Sequence, residues 1–271
     1  MEIEDIVLKH SARGMDILRK FMPESYAMAA AKEILGWDRK VVFLATGFYV
    51  AGYAETDGPA GTVFLAKALK KLGFKPVIVT DNFCHGFFEP EEIDVLYMPF
   101  DVGKEWCEFQ LELYKPVGLI SIERCGKNSD GKYANMRGIN ISDKTVKIDI
   151  FFENVFGRIP TIGVGDGGNE IGMGNVAEII KNNLELEPCI VKVDKLVIAT
   201  VSNWGAYAII AWLEKLSGES VFMSFEEVEN FIKSTVEIGS VDGVLKQKVV
   251  SVDGFGMEIE KEIIQSLRMA I

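Results

Sequence analysis

Six short apolar runs set the frame for this chain: KVVFLAT at 40–46, PVIVT at 76–80, DVLYMP at 94–99, VGLISIE at 117–123, IPTIGVG at 159–165 and KLVIATV at 195–201. None alternates polar with apolar residues, the pattern of a strand covered on both faces. Between them lie stretches with helical spacing, at 59–72, 103–114, 175–186 and 203–217. Strand then helix, repeated, predicts an α/β chain in three layers: a doubly wound, mostly parallel sheet with helices on both faces. Residues 1–37 read as a helical lead-in, with Ile3, Ile6 and Val7, then Met15 and Leu18, at turn spacing and Pro23 ahead of an alanine-rich pattern from Tyr26 to Leu35. A further helical pattern runs from Met257 to Met269, KTVKIDIFFENVF at 144–156 fits either a helix or a strand, and SVDG at 240 and 251 reads as two similar turns. With no proline-rich or serine-rich linker, residues 1–271 read as one domain.

Composition narrows the partners. A net charge of −11 disfavours nucleic acid, which requires a concentrated basic face. Cys84, Cys107, Cys125 and Cys189 form no C-x-x-C pair, so neither a disulfide framework nor a zinc site is indicated, and a reducing, cytoplasmic setting is expected. The acidic start MEIEDIVLKH is unlike a targeting peptide, and no apolar run approaches the roughly 18 residues of a membrane span. The expected partner is a small molecule, neither nucleic acid nor membrane, with self-association left open.

In a parallel sheet the ligand loops follow the carboxyl ends of the strands. Four such loops are polar and glycine-flanked. TGFYVAGYAETDGPAGT carries Glu55 and Asp57 ahead of Pro59; ERCGKNSDGKYANMRG carries Glu123, Arg124, Lys127 and Arg137; GVGDGGNEIGMGN carries Asp166, Asn169 and Glu170; SNWG carries Ser202 and Asn203. Each has a plain structural alternative: carboxylates complementing a helix start, Ser202 or Asn203 capping a helix, or solvated loop charges. Gly163, Gly165 and Gly168 fit G-x-G-x-x-G, but Asp166 inside that turn would repel a pyrophosphate, and TGFYVAG lacks the lysine and hydroxyl of a P-loop. Only His10 and His85 are available for a Ser-His-Asp triad, and Cys125, between Arg124 and Lys127, is a weak candidate nucleophile. What remains is a carboxylate-rich rim with a few cations. It suits a hard divalent cation (magnesium, manganese or calcium) or the ammonium of an amino-acid-like ligand whose carboxylate an arginine would grip.

The runs TGF, ETDGPAGT at 55–62, IERCGKNSDGKYANMRG at 122–138, GVGDGGNEIGMGN at 163–175, SNWG at 202–205 and VDG at 241 and 252 resemble, in that order, the carboxyl-terminal domain of the D-glutamate cyclase family. The resemblance implies a lyase that closes D-glutamate to 5-oxo-D-proline with loss of water. It also implies that longer members carry a separate amino-terminal domain. For such chemistry the candidate catalytic residues are Asp166, Glu170 and Asn169. The candidate substrate-binding residues are Glu55, Asp57, Glu123, Arg124, Arg137, Asn203 and the backbone of Gly165, Gly167 and Gly168. Glu55, Asp57 and Asp166 are candidates to hold a metal. A non-catalytic binder of an amino acid or lactam, and a metal-dependent amide or lactam hydrolase, are the alternatives.

Overall fold

A computed structural model describes residues 2–11, 13–184 and 186–271. Residues 1 and 12 of the lead-in, and residue 185 of the helix expected at 175–186, lie outside them. Ten strands are found among the described residues: β1 Val41–Ala45, β2 Tyr49–Val50, β3 Tyr53–Ala54, β4 Lys75–Thr80, β5 Asp94–Tyr97, β6 Gly118–Ile122, β7 Thr161–Gly165, β8 Lys195–Ile198, β9 Ser251–Val252 and β10 Phe255–Gly256. All six expected runs enter one sheet, in the order β5-β4-β1-β6-β7-β8. Every pair in it is parallel, with Val42 of β1 facing Pro76 on one side and Gly118 on the other. The chain winds outward from β1 in one direction and then resumes at β6 in the other. The crevice between the loops after β1 and β6 is therefore the place for a ligand.

The helices are α1 Ile3–Val7, α2 Met15–Leu18, α3 Tyr26–Gly36, α4 Pro59–Lys71, α5 Lys104–Tyr114, α6 Asp149–Val155, α7 Ala177–Asn183, α8 Ser202–Ser217, α9 Phe225–Ile238 and α10 Met257–Ala270. α8 packs on α3 and α4, while Phe43 of β1 meets Tyr114 of α5 and Phe151 of α6 edge-on. One hydrophobic cluster runs from Ile3 to Leu267. The ambiguous segment 144–156 resolves as α6, which buries Phe151, Phe152 and Val155 on one face. The sequence reading passed over α9, although its start is a capping box in which Ser224 and Glu227 satisfy each other's backbone N–H. Lead-in helix α1 acts as a cap for α3: Glu4 Oε1 accepts from the amides of Ala27 at 3.1 Å and Met28 at 3.3 Å.

The two SVDG turns differ. At 251–254, Asp253 and Gly254, both at positive φ, form the two-residue turn of a hairpin in which Val252 pairs with Phe255. At 240–243 there is no hairpin; Asp242 caps Val244 and Leu245 and accepts from the Ser251 hydroxyl of the other turn at 2.6 Å. Among the described residues no helix is long and apolar enough to cross a membrane.

Candidate active site

Glu123 is the first residue beyond β6 and Asp166 the first beyond β7, so parallel strands deliver both carboxylates to one edge. Glu123 sits at φ 45°, a left-handed conformation uncommon for a side chain with a Cβ. This kink separates it from its neighbour: Glu123 lines the cavity at the crevice, whereas Arg124 runs into the interior. Asp57 arrives from the turn ahead of α4. Its carboxylate accepts from the amides of Ser202 and Asn203, both at 2.8 Å, so it is fixed at the positive start of α8. The Ser202 hydroxyl donates to Glu123 Oε2 at 2.6 Å. Asn203 Oδ1 accepts from Gly58 and Gly61, tying the starts of α4 and α8 together. Only glycine fits at 58: φ is 94°, and an added Cβ would come within 2.8 Å of both Glu123 Cβ and Thr46 Oγ1.

Asp57, Glu123 and Asp166 bring carboxylate oxygens within 4.8 Å of one another. In front of them lies a cavity of about 240 Å³. Arg13, Glu55, Glu123, Glu170 and Asp253 form its polar floor; Phe48, Tyr49, Met136, Ile139 and Ile141 are among its apolar walls; Arg137 and Lys246 stand at the rim. Arg13 Nη1 donates to Asp166 Oδ1 at 2.7 Å and Nη2 to Asp253 Oδ2. Burial opposes the charge of Arg13, but the carboxylates of Asp166, Asp253 and Glu123 outweigh it and raise its pKa. Six carboxyl groups thus face one guanidinium. Burial lifts Glu55 and Glu123 well above the usual carboxylate range and neighbouring carboxylates lift them further. Asp166 is raised by burial against the pull of Arg13. Asp57 is pushed up to about 7, by burial and by Asp253, against the Asn203 and Ser202 amides.

The glycine-rich run 163–175 wraps one of its own carboxylates. Gly167 and Gly168 donate to Glu170 Oε1 and Oε2 at 2.9 and 2.8 Å, and a Cβ at Gly165 would lie 2.8 Å from Glu170 Oε2. These two amides were expected to bind substrate; they are spent on Glu170, and the loop leads into a 3-10 turn, Met173–Asn175. Burial raises the Glu170 pKa against these amides. Asn169 lines the cavity and its amide donates to Ala134 O at 2.9 Å, anchoring the rim loop.

Among the residues expected from the sequence, Glu55, Glu123, Asn169, Glu170 and Arg137 line the cavity, and Asp57 and Asp166 stand with Glu123. Asn203 is taken up by backbone contacts. Arg124 is the clear departure. It is 1% exposed, and it donates through Nη1 to Gly47 O at 2.5 Å and Asp81 Oδ2 at 2.7 Å and through Nη2 to Val146 O at 2.8 Å. A buried guanidinium must find acceptors within the fold, and Arg124, turned toward these and away from the cavity lining, is not placed to grip a ligand carboxylate. In the group of close carboxylates Glu123 takes the place given to Glu55. Cys125 is buried and its thiol is pushed up by burial, the opposite of an activated nucleophile.

Sequence reasoning missed Arg13, Asp253 and Lys246. Arg13 falls in the break between the two lead-in patterns, where no motif marks it. Asp253 sat in a recognised turn, and its D-G pair announced a hairpin without announcing where the carboxylate would point.

The family model for "D-glutamate cyclase-like, C-terminal" matches residues 3–268. The human "D-glutamate cyclase, mitochondrial" is 35% identical over 177 residues, covering 57% of this chain and 29% of that relative. The chain therefore spans less than a third of the length of that relative. An exopolyphosphatase-related protein from Bacteroides fragilis superimposes with a TM-score of 0.41 at 11% identity, over 92% of this chain and 58% of that one, too remote to carry an argument.

Proposed function

We propose, from the premise that this chain belongs to the family of D-glutamate cyclase-like C-terminal domains, that it closes D-glutamate, or a closely related small acidic amino acid, to its lactam with loss of water. The observation that supports this reading is the polarity of the cavity: carboxyl groups and Arg13 at the floor, Arg137 and Lys246 at the rim. A zwitterion enters such a cavity ammonium first.

In the proposed reaction the substrate amine attacks the γ-carboxyl carbon, an N–C bond forms, and a C–O bond breaks to release water. An ammonium and a carboxylate become a neutral amide and water, so no net proton is gained or lost. The protein must take two protons from the amine nitrogen, one before the attack and one after it, and deliver both to the departing oxygen. Glu123 and Glu170 suit this exchange, since both line the cavity and burial raises both carboxyls above their usual range, which makes whichever is ionised the stronger base and leaves the other protonated as the acid. Arg13 faces the oxyanion of the tetrahedral intermediate, held by Asp166 and Asp253. Arg137 or Lys246 holds the α-carboxylate. A 240 Å³ cavity accommodates a ligand of this size.

The test is formation of 5-oxoproline from D- and L-glutamate by the purified chain, resolved by chiral chromatography, and the reverse reaction from the lactam. Turnover of the D isomer that Glu170→Gln abolishes is the expected result. A well-folded wild-type chain that converts neither isomer and opens no lactam overturns the reading in favour of a binding module.

A further inference from the structure

The cavity is made of two unlike halves. Its floor is ionic, but one wall belongs to a small hydrophobic cluster separate from the main core, in which Phe48 and Ile141 are buried and Tyr49 and Val50 pack against them. The apolar lining continues to the mouth, where Met136 is 41%, Ile139 55% and Val244 43% exposed. These side chains are carried on braced turns. Asn135 Oδ1 accepts from the amides of Arg137 at 3.0 Å and Ile139 at 3.1 Å, Asn169 ties the neighbouring Ala134 carbonyl to the 163–175 loop, and Asp242 Oδ1 accepts from the amide of Val244 at 2.9 Å. Large apolar groups fixed at a cavity mouth stay hydrated until a ligand covers them. Free glutamate cannot do so: its ammonium and γ-carboxyl are needed at the floor and its α-carboxylate at Arg137 or Lys246, which leaves only methylene carbons for an apolar wall.

We propose that the substrate class of this site includes D-glutamate bearing an apolar amine on its γ-carbonyl, a γ-D-glutamyl amide that the chain cyclises with release of that amine. The proposal rests on the lyase reading above for the ammonium at the floor, and adds a leaving group to it. The substrate amine must reach the γ-carbonyl carbon, so the group bonded to that carbon projects, with the α-carboxylate, toward the mouth. There the α-carboxylate meets Arg137 or Lys246, and the apolar group meets Met136, Ile139 and Val244. In the step a bond forms between the substrate nitrogen and the γ-carbonyl carbon, and the C–N bond of the amide breaks. The attacking nitrogen gives up two protons and the departing nitrogen takes two, leaving as an ammonium, so no oxidant or co-reactant is needed. Glu123 and Glu170 carry these protons as they would for loss of water. An amide carbonyl is neutral, whereas a γ-carboxylate must be protonated before an amine can attack it.

The test compares γ-D-glutamyl isobutylamide, γ-D-glutamyl methylamide and D-glutamate on the purified chain, following 5-oxoproline from all three and free amine from the amides. The two amines have similar basicity, so a difference between the amides reports contact with the leaving group. The kcat/KM for the isobutylamide should exceed that for the methylamide by about tenfold, the order for partly burying three added carbons. It should also exceed that for D-glutamate. Met136→Ser and Val244→Ser should each lower the isobutyl-to-methyl ratio by about threefold, the order for exposing one methylene-sized contact. Phe109→Ser, which removes an exposed apolar side chain of α5 outside the cavity, should leave the ratio unchanged. Equal kcat/KM for the two amides, or a ratio that survives both site variants, overturns the proposal. Should circular dichroism show that a serine variant does not fold, the wild-type ratio alone decides. Cyclisation of D-glutamate but of neither amide also overturns it and leaves the lyase reading standing. Amine release from the isobutylamide at the expected ratio, with no turnover of D-glutamate, upholds the proposal and removes the loss of water. A chain that converts none of the three overturns both.

Discussion

The loop after β6 and the loop before α2 each place an arginine among acceptors, and the two arginines have different partners. Arg124 is 1% exposed and touches two backbone carbonyls and one carboxylate, all inside the fold. Arg13, with 17% of its side chain exposed, touches two carboxylates, one of which lines the cavity. Carbonyl partners locate a backbone. Carboxylate partners at a cavity floor keep a positive charge where a ligand can use it. The same residue type thus works as a clamp in one place and as an electrostatic group in the other, and its surroundings decide which.

The largest effect that would test this contrast is on stability. Arg124→Met should cost about 3 to 5 kcal/mol in denaturant unfolding, because Asp81 and two carbonyls lose their buried partner. A loss below about 1 kcal/mol would remove Arg124 from the role of clamp. Arg13→Gln should spare the fold, since carboxylates already inclined to hold protons, one of them beside the cavity, can neutralise themselves. Its expected cost is to the proposed turnover, a fall of about 10²- to 10³-fold, the range for losing one oxyanion donor. Equal stability losses in the two variants would erase the distinction.

A third buried charge sharpens it. Glu260 of α10 accepts from Trp204 Nε1 at 2.6 Å, has no ionic partner among the described residues, and is pushed up to about 7 by burial. A raised acid in the folded state binds a proton that the unfolded chain has released, so its contribution is fully present below about 4.5 and is lost as the pH rises to about 7. Glu260→Gln keeps the acceptor and does not titrate. Relative to the wild type it should gain up to about 3 kcal/mol between pH 4.5 and pH 7.5, read from urea midpoints across that range. A constant difference would show that Glu260 ionises normally.

The smallest effect belongs to the rim. Arg137 is exposed, so Arg137→Ala should raise KM for D-glutamate only a few-fold, about 1 kcal/mol or less, with kcat unchanged. If kcat falls instead, the rim takes part in the chemistry.

The sheet was legible because burial on both faces writes itself as unbroken apolar runs, and the carboxylates were legible because parallel strands deliver their following residues to one edge. Glu123 and Asp166 follow their strands directly and were found for that reason. Arg124 was misread because sequence position places a residue on a loop without saying which way it turns, and the positive φ of Glu123, which parts the two, leaves no mark in the letters ERC. Arg13 was invisible since its partners stand 153 and 240 positions away. α9 was passed over although SFEE, a serine and a glutamate at capping spacing, marks its start.

That last separation has a consequence for the order in which the chain is made. During synthesis Arg13 emerges before any strand of the sheet, and Asp253 emerges after all six of its strands. Until the final hairpin forms, the guanidinium has only Asp166 to hold it, and the cavity floor lacks one of its walls. The sheet can collapse around its core while the site remains open. A chain stopped short of residue 251 would therefore be expected to leave the ribosome with its strands paired and its ligand pocket unfinished.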